Sequence, residues 1–427
     1  MAELTVHSVK NINAEFEFPG DKSISHRALI LSSISEGNSK ILNLSTGNDV
    51  QRTRDALRLM GIEINSGVEV IVKGRGMLGL KEPGDIIDAG NSGTTARLLC
   101  GLLSPQKFFS VITGDESLRR RPMKRVVDPL REIGAEIYGR ENSSLLPLCI
   151  RGRNLKGKKI SINVASAQVK SALLLAGLYT EGVTVIIEPA ESRDHTERML
   201  KFMGAEIKKD GNVASVRRCE KLEPLDIIVP GDISSAAFFI VAGTIVKGSE
   251  IIIKNVCLNP LRTGVIDVLK RMGADIEIVE RREEFEPFGT VRVRYSTLKG
   301  TTIKGADIPR VIDEIPVIAV AASVAEGETI IQNAEELRKK ESDRIRTLCT
   351  ELKKMGVDIE ELQDGMRIRG GRLKSARLES HKDHRIGMAL AIAGLVADGE
   401  TTINGTEWID ISFPEFRQYL RRILNAE

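Results

Sequence analysis

The sequence predicts an α/β protein built as two similar inside-out domains, each of three repeated strand–helix–strand–helix–strand–strand units with buried helices. Three observations carry this. A Met-Gly or Ile-Gly dipeptide recurs at Gly61, Gly134, Gly204, Gly273 and Gly356, spaced 73, 70, 69 and 83 residues apart. Each is followed by a short aliphatic–acid–Ile triplet such as Ile62-Glu63-Ile64 or Ala205-Glu206-Ile207. And six further segments are apolar nearly all round, which places them inside rather than at a surface. A period near 70 is too long for a solenoid, so six units resolve into two domains of three. The chain midpoint, near Pro230-Gly231, is a plausible boundary.

Each repeat glycine is preceded by an amphipathic helix. Met123, Val126, Leu130 and Ile133 share one face, as do Leu261, Val265, Leu269 and Met272, and Ile345, Leu348, Leu352 and Met355. The glycine stops the helix and the next Ile opens a strand. A sixth such helix covers Phe413–Ile423. The apolar helices are expected at Ser23–Ser35, Ser92–Leu103, Ser166–Leu178, Ile233–Val246, Asp313–Ala325 and His384–Ala397. Five end at a glycine: Gly37, Gly182, Gly248, Gly327 and Gly399. The charged stretch Glu280–Gly289 reads as a solvent loop that lengthens the fourth interval.

Composition narrows the function. Among 427 residues, 62 basic and 59 acidic side chains leave a net charge of +3, too balanced for a general polyanion-binding surface. Aromatic residues make up 4%, which argues against stacking platforms for nucleic acid. Five cysteines without C-x-x-C spacing suggest neither a disulfide framework nor a zinc site. The longest apolar runs, Ala236–Gly243 and Ile315–Ala322, are far too short to span a membrane. The N-terminus alternates like a strand and lacks the apolar run of a signal peptide. The expectation is a soluble, cytoplasmic protein.

The openings of the buried helices carry the chemistry. They read Gly20-Asp21-Lys22-Ser23, Gly90-Asn91-Ser92-Gly93, Ser166-Ala167-Gln168, Gly231-Asp232, Ile312-Asp313-Glu314 and Lys382-Asp383-His384-Arg385. Ser and Asp there are ordinary caps. Lys22, Arg27, Lys382 and Arg385 are not, because the helix dipole disfavours cations at that end. Rules broken at matching positions of a repeat mark a functional site. If the buried helices of each domain run parallel, their N-termini converge on a cleft between the domains. Arg121, which precedes a Pro122 expected at the first helical position, and Lys340 and Arg344, which open a further helix, add cations. The ligands implied are small and multiply anionic, held by arginine forks and helix ends. Asp313 and Glu341, at helix starts beside cations, are candidate proton carriers.

The same residues fall into a known pattern. Pro-Gly-Asp-Lys22-Ser23-x-Ser-x-Arg27, Gly90-Asn-Ser-Gly93-Thr94-Thr-x-Arg97, Arg121-Pro-Met, Ser166-Ala-Gln168-x-Lys-Ser, Glu-Ser-Arg193-Asp-His-Thr-Glu, Asp313-Glu-x-Pro, Lys340-Glu341-Ser-Asp-Arg344 and Asp383-His-Arg385 resemble the 5-enolpyruvylshikimate-3-phosphate synthase family, in order from residue 18 to 416. The resemblance implies transfer of the enolpyruvyl group of phosphoenolpyruvate to the 5-hydroxyl of shikimate 3-phosphate, with release of phosphate. It implies domains of residues 21–232 and of 1–20 with 233–427, and no cofactor. It places Lys22, Ser23, Arg27, Ser166, Ala167, Gln168, Arg193, Asp313 and Lys340 at shikimate 3-phosphate. It places Lys22, Gly93, Arg121, Gln168, Arg344 and Arg385 at phosphoenolpyruvate. Asp313 would accept the hydroxyl proton, with Lys22 and Glu341 as candidates to protonate the vinyl carbon. Ala167, Arg193, Glu336 and Ile411 depart from the enterobacterial and plant branch and resemble another bacterial one, whereas Gly93 is typical of glyphosate-sensitive members. The sister family acting on UDP-N-acetylglucosamine needs a reactive cysteine in the loop where this chain has Gly114-Asp115-Glu116.

Overall fold

A computed structural model describes residues 2–425. The chain divides into two compact units, Met1–Pro19 with Pro230–Glu427 (the C-terminal unit) and Gly20–Val229 (the N-terminal unit). Strand pairing explains why the first residues leave the chain that follows them. Glu3–His7 runs antiparallel to Glu400–Asn404, and Asn13–Glu17 runs parallel to Glu250–Cys257. Both therefore complete sheets of the C-terminal unit.

Among the described residues, five four-stranded sheets share one pattern, a parallel pair followed by two antiparallel steps. In one, Lys159–Ser161, Val183–Ile187, Val213–Arg217 and Ile207–Asp210 lie side by side. In the sheet of Glu36–Leu42 the parallel partner is Ile227–Ile228, from the far end of the unit. The sixth sheet has three strands. Alternating burial, as in Val183–Ile187, turns one face of each sheet towards helices and leaves the other to water.

Among the described residues, six helices form the interiors of the two units, three in each. We label them α1 (Lys22–Ser33), α2 (Gly93–Leu103), α3 (Ala167–Gly177), α4 (Ile233–Ile245), α5 (Ile315–Ser323) and α6 (His384–Gly394). Every residue of α4, α5 and α6 is buried. Helices α2 and α3 touch backbone to backbone, since a Cβ on Gly101 would lie 2.1 Å from the Ala172 carbonyl oxygen. Asp21, Ser92, Ser166, Asp232 and Asp383 each accept a backbone N–H of the first turn, a bond worth about 1 kcal/mol. The repeat glycines end their helices in the left-handed region, as at Gly61 (φ +84°) and Gly356 (φ +82°).

Three local expectations are corrected. Glu280–Gly289 is not a loop: Asp275–Glu283 and Pro287–Arg294 form a hairpin. Its charges pair across or along the strands, Arg292 with Glu277 and Arg294 with Asp275, so an exposed edge can be charged and still be a strand. Asp313 does not start a helix. A short helix Asp307–Val311 precedes a turn that holds it, and Pro316 at the front of α5 fixes the later start. Pro122 stands outside its helix, which begins at Lys124. No helix among the described residues is long and apolar enough to cross a membrane.

Candidate active site

In the N-terminal unit, the first turns of α1, α2 and α3 meet. Lys22 opens α1, and its Nζ lies 3.0 Å from Asp49 Oδ2 on the helix Asn48–Leu59. Arg27, one turn on, is buried. It donates from Nε to Thr196 Oγ1 and from Nη2 to Ser171 Oγ, both at 2.7 Å, and from Nη1 to the Ser23 carbonyl at 2.9 Å. That fork is fixed by groups on three helices, which is what a rigid anion receptor requires.

Gln168 in the first turn of α3 joins α2 through both ends of its amide. Arg97 Nη1 donates to its Oε1 at 2.7 Å, and its Nε2 donates to Thr94 Oγ1 at 2.9 Å. Arg121 donates to Asn91 Oδ1 at 2.6 Å, just ahead of α2. Gly93 lies where these guanidinium groups meet: a Cβ there would stand 2.8 Å from Arg97 Nη1 and 3.7 Å from Arg121 Nη1. Ser166 caps α3 and Ala167 follows it. Arg193 is half-buried, two residues before the helix His195–Phe202 that supplies Thr196.

His26 lies behind this surface. Its Nδ1 is 2.7 Å from Thr53 Oγ1, which is 2.7 Å from Thr95 Oγ1, which donates to Ser92 Oγ at 2.7 Å. This chain of hydroxyls ties α1, Asn48–Leu59 and α2 together. Burial holds the imidazole pKa well below its ordinary value, and the positive charges of Lys22 and Arg27 press it the same way.

The C-terminal unit arranges its charges differently. Arg344, buried, donates from Nε to Asp383 Oδ2 at 2.8 Å and from Nη2 to Glu341 Oε2 at 2.7 Å. Its Nη1 is 3.7 Å from Asp313 Oδ1, and Lys340 Nζ reaches the same oxygen at 3.4 Å. Burial works against both members of the Arg344–Asp383 pair. Their mutual attraction overrides it, so the guanidinium pKa is raised and the carboxyl pKa lowered. Asp383 also caps α6 by accepting from the Arg385 N–H at 2.9 Å. Arg385 Nη1 lies 3.8 Å from Glu314, which accepts a hydrogen bond from Ser234 at the front of α4. Arg262, buried, donates to Ser234 at 2.8 Å and to Asp232 at 3.1 Å. The first turns of α4, α5 and α6 are thus joined.

The sequence-predicted residues therefore fall into two sets, one in each unit. Lys22, Ser23, Arg27, Gly93, Arg121, Ser166, Ala167, Gln168 and Arg193 lie around the first turns of α1–α3. Asp313, Lys340, Glu341, Arg344 and Arg385 lie around α5 and α6. The motif reading gave no role to Asp49, Thr196, Asp383 or Glu314, which hold these groups. Thr196, Glu314 and Asp383 lie inside the motifs that carry the resemblance, where they could be noticed; Asp49 does not.

Comparison with known proteins decides the family. The family model described as EPSP synthase (3-phosphoshikimate 1-carboxyvinyltransferase) matches residues 6–420. The chain belongs to the EPSP synthase family. A Geobacter metallireducens protein named 3-phosphoshikimate 1-carboxyvinyltransferase is 51% identical over 426 residues, covering 99% of both chains. A Bacillus cytotoxicus protein of the same name is 52% identical over 410 residues, 95% of this chain and 97% of its own. A solved EPSP synthase structure from Acinetobacter baumannii superposes with TM-score 0.89 at 43% identity, over 99% of this chain and 98% of that one. The two inside-out α/β units are those of the EPSP synthase fold. Cys100, the thiol nearest in sequence to the Gly114–Glu116 loop, is buried in α2. Burial pushes its pKa up to about 12, only partly offset by Arg97, so it offers no thiolate nucleophile.

Proposed function

We propose that this EPSP synthase uses the residues described above in the following roles. The enzyme transfers the enolpyruvyl group of phosphoenolpyruvate to shikimate 3-phosphate in the shikimate pathway, the step that leads towards aromatic amino acids. Lys22, Ser23, Arg27, Ser166, Ala167, Gln168 and Arg193, with Asp313 and Lys340, hold shikimate 3-phosphate. Lys22, Gly93, Arg121, Gln168, Arg344 and Arg385 hold phosphoenolpyruvate. Asp313, a carboxylate flanked by Lys340 and Arg344, accepts the proton of the 5-hydroxyl as its oxygen attacks C2 of phosphoenolpyruvate. Lys22 or Glu341 delivers a proton to the methylene carbon, giving a tetrahedral intermediate. Loss of a proton from the resulting methyl group and departure of phosphate restore the vinyl ether. The cations stabilise the negative charge carried by both substrates and by the leaving phosphate.

The observation that carries this assignment is the fixed Arg27 fork, whose three donors are set by residues 4, 144 and 169 positions away. The same reading has the enzyme working as a monomer in the cytoplasm, where its five free cysteines would stay reduced. The test is phosphate release from phosphoenolpyruvate with shikimate 3-phosphate, run beside UDP-N-acetylglucosamine. Release with the shikimate compound alone is expected. Release only with the sugar nucleotide would overturn the acceptor.

A further inference from the structure

Lys170 stands two residues beyond Gln168 on α3 and is 1% exposed. An ammonium buried near the start of an apolar helix needs a reason. Its Nζ lies 2.8 Å from Glu188 Oε2 and 2.8 Å from Glu197 Oε1, and donates to the Ser192 carbonyl at 3.1 Å. Glu188 follows the strand Val183–Ile187, and Glu197 belongs to the first turn of the helix His195–Phe202. Glu188 also accepts from the Ser192 hydroxyl at 2.5 Å and from its N–H at 3.4 Å. One buried cation therefore gathers a helix, a strand end, a loop and a second helix.

Two carboxylates on one ammonium leave a buried surplus of negative charge. Burial accordingly pushes the Glu197 carboxyl up, and Lys170 offsets only part of that. A buried ion cluster of this kind is a poor route to stability, since well-packed apolar side chains often serve as well. Its neighbours in sequence point to a different use. Gln168 lies two residues before Lys170, Arg193 directly follows Ser192, and Thr196, which orients Arg27, directly precedes Glu197.

We infer that Lys170 is a positioning residue, which holds Arg193 and the Thr196–Arg27 pair in register with Gln168 and so sets affinity for shikimate 3-phosphate without touching it. The inference rests on the shikimate-site assignment proposed above. Acting through geometry alone, it affects binding of one substrate and leaves the chemical step in place.

The test is steady-state kinetics on the full-length enzyme carrying Lys170→Met, with Ser192→Ala and Arg193→Ala alongside. Lys170→Met should raise KM for shikimate 3-phosphate about tenfold, with kcat and the KM for phosphoenolpyruvate within about twofold. Ser192→Ala, which removes the hydroxyl bond to Glu188 but keeps the ion cluster and the backbone contact with Lys170, should raise the same KM about threefold. A Lys170→Met enzyme that melts lower but keeps its KM would reduce the cluster to a structural role and overturn the inference. If Lys170→Met does not fold, Lys170→Arg decides, because it keeps the charge but not the geometry that joins Glu188, Glu197 and the Ser192 carbonyl, and an unchanged KM overturns the inference. Arg193→Ala separates the two levels. Unchanged KM there contradicts the site assignment, whereas a raised KM there with Lys170→Met unaffected contradicts only the inference.

Discussion

The two units use one repeat to make unlike surfaces. Around α1–α3, Arg27 and Arg97 donate to hydroxyl, amide and carbonyl oxygens, and Lys22 meets the carboxylate of Asp49. Around α5 and α6, Arg344 meets Asp383, Glu341 and Asp313, while Arg385 faces Glu314. Neutral partners orient a guanidinium without cancelling its charge, which suits it to receive a phosphate or carboxylate. Carboxylate partners hold an arginine in place and put acids next to it, which suits proton transfer. The buried helices supply six N-termini; the choice of partner decides what each set does.

The largest effect should come from the acid-rich side. Asp313→Ala should lower kcat by about 10²–10⁴-fold, the range for losing a general base. Its melting temperature should stay near wild type, because Asp313 is only half-buried and caps no helix. Near-normal turnover would remove Asp313 from its role.

Next come two substitutions that set the units against each other. Asp383→Asn leaves Arg344 without its buried partner and should cost about 3–5 kcal/mol of unfolding free energy, measured by urea denaturation. Thr196→Val removes a neutral partner of Arg27 and should cost only about 1–2 kcal/mol. Equal losses would erase the distinction between the units.

The smallest effect is set by pH. His26 is kept neutral in the fold, with its pKa depressed, so the unfolded chain takes up its proton first as pH falls. Its contribution is fully present above the unfolded value of about 6.5 and is lost as pH drops from there towards the folded pKa. His26→Gln should flatten the stability profile in that acid window by about one proton. An unchanged slope would place the protonation elsewhere.

What the sequence made legible was the punctuation. The repeat glycines occupy the left-handed conformation that stops a helix, and the apolar segments are the buried helices. The Lys22, Arg27 and Arg385 violations of the dipole rule sit at the first turns that meet within each unit. The rest depended on distance along the chain. Thr196 is 169 residues from Arg27, and Asp383 is 39 from Arg344, so no local window shows them as partners. The hairpin at Asp275–Arg294 was hidden because charge in a strand is visible as pairing only once the register is known. Asp313 was misplaced because an acid just before the apolar run Ile315–Ala322 reads as a cap, whereas the helix starts at Ile315 with Glu314 before it.

The most direct test of the division between the units is calorimetric binding of shikimate 3-phosphate without phosphoenolpyruvate. Arg27→Ala should raise Kd by about tenfold or more, while Arg385→Ala should leave it within about twofold. Equal weakening by the two substitutions would contradict the account, because a set of arginines with carboxylate partners would then be binding this ligand as strongly as the set held by neutral groups.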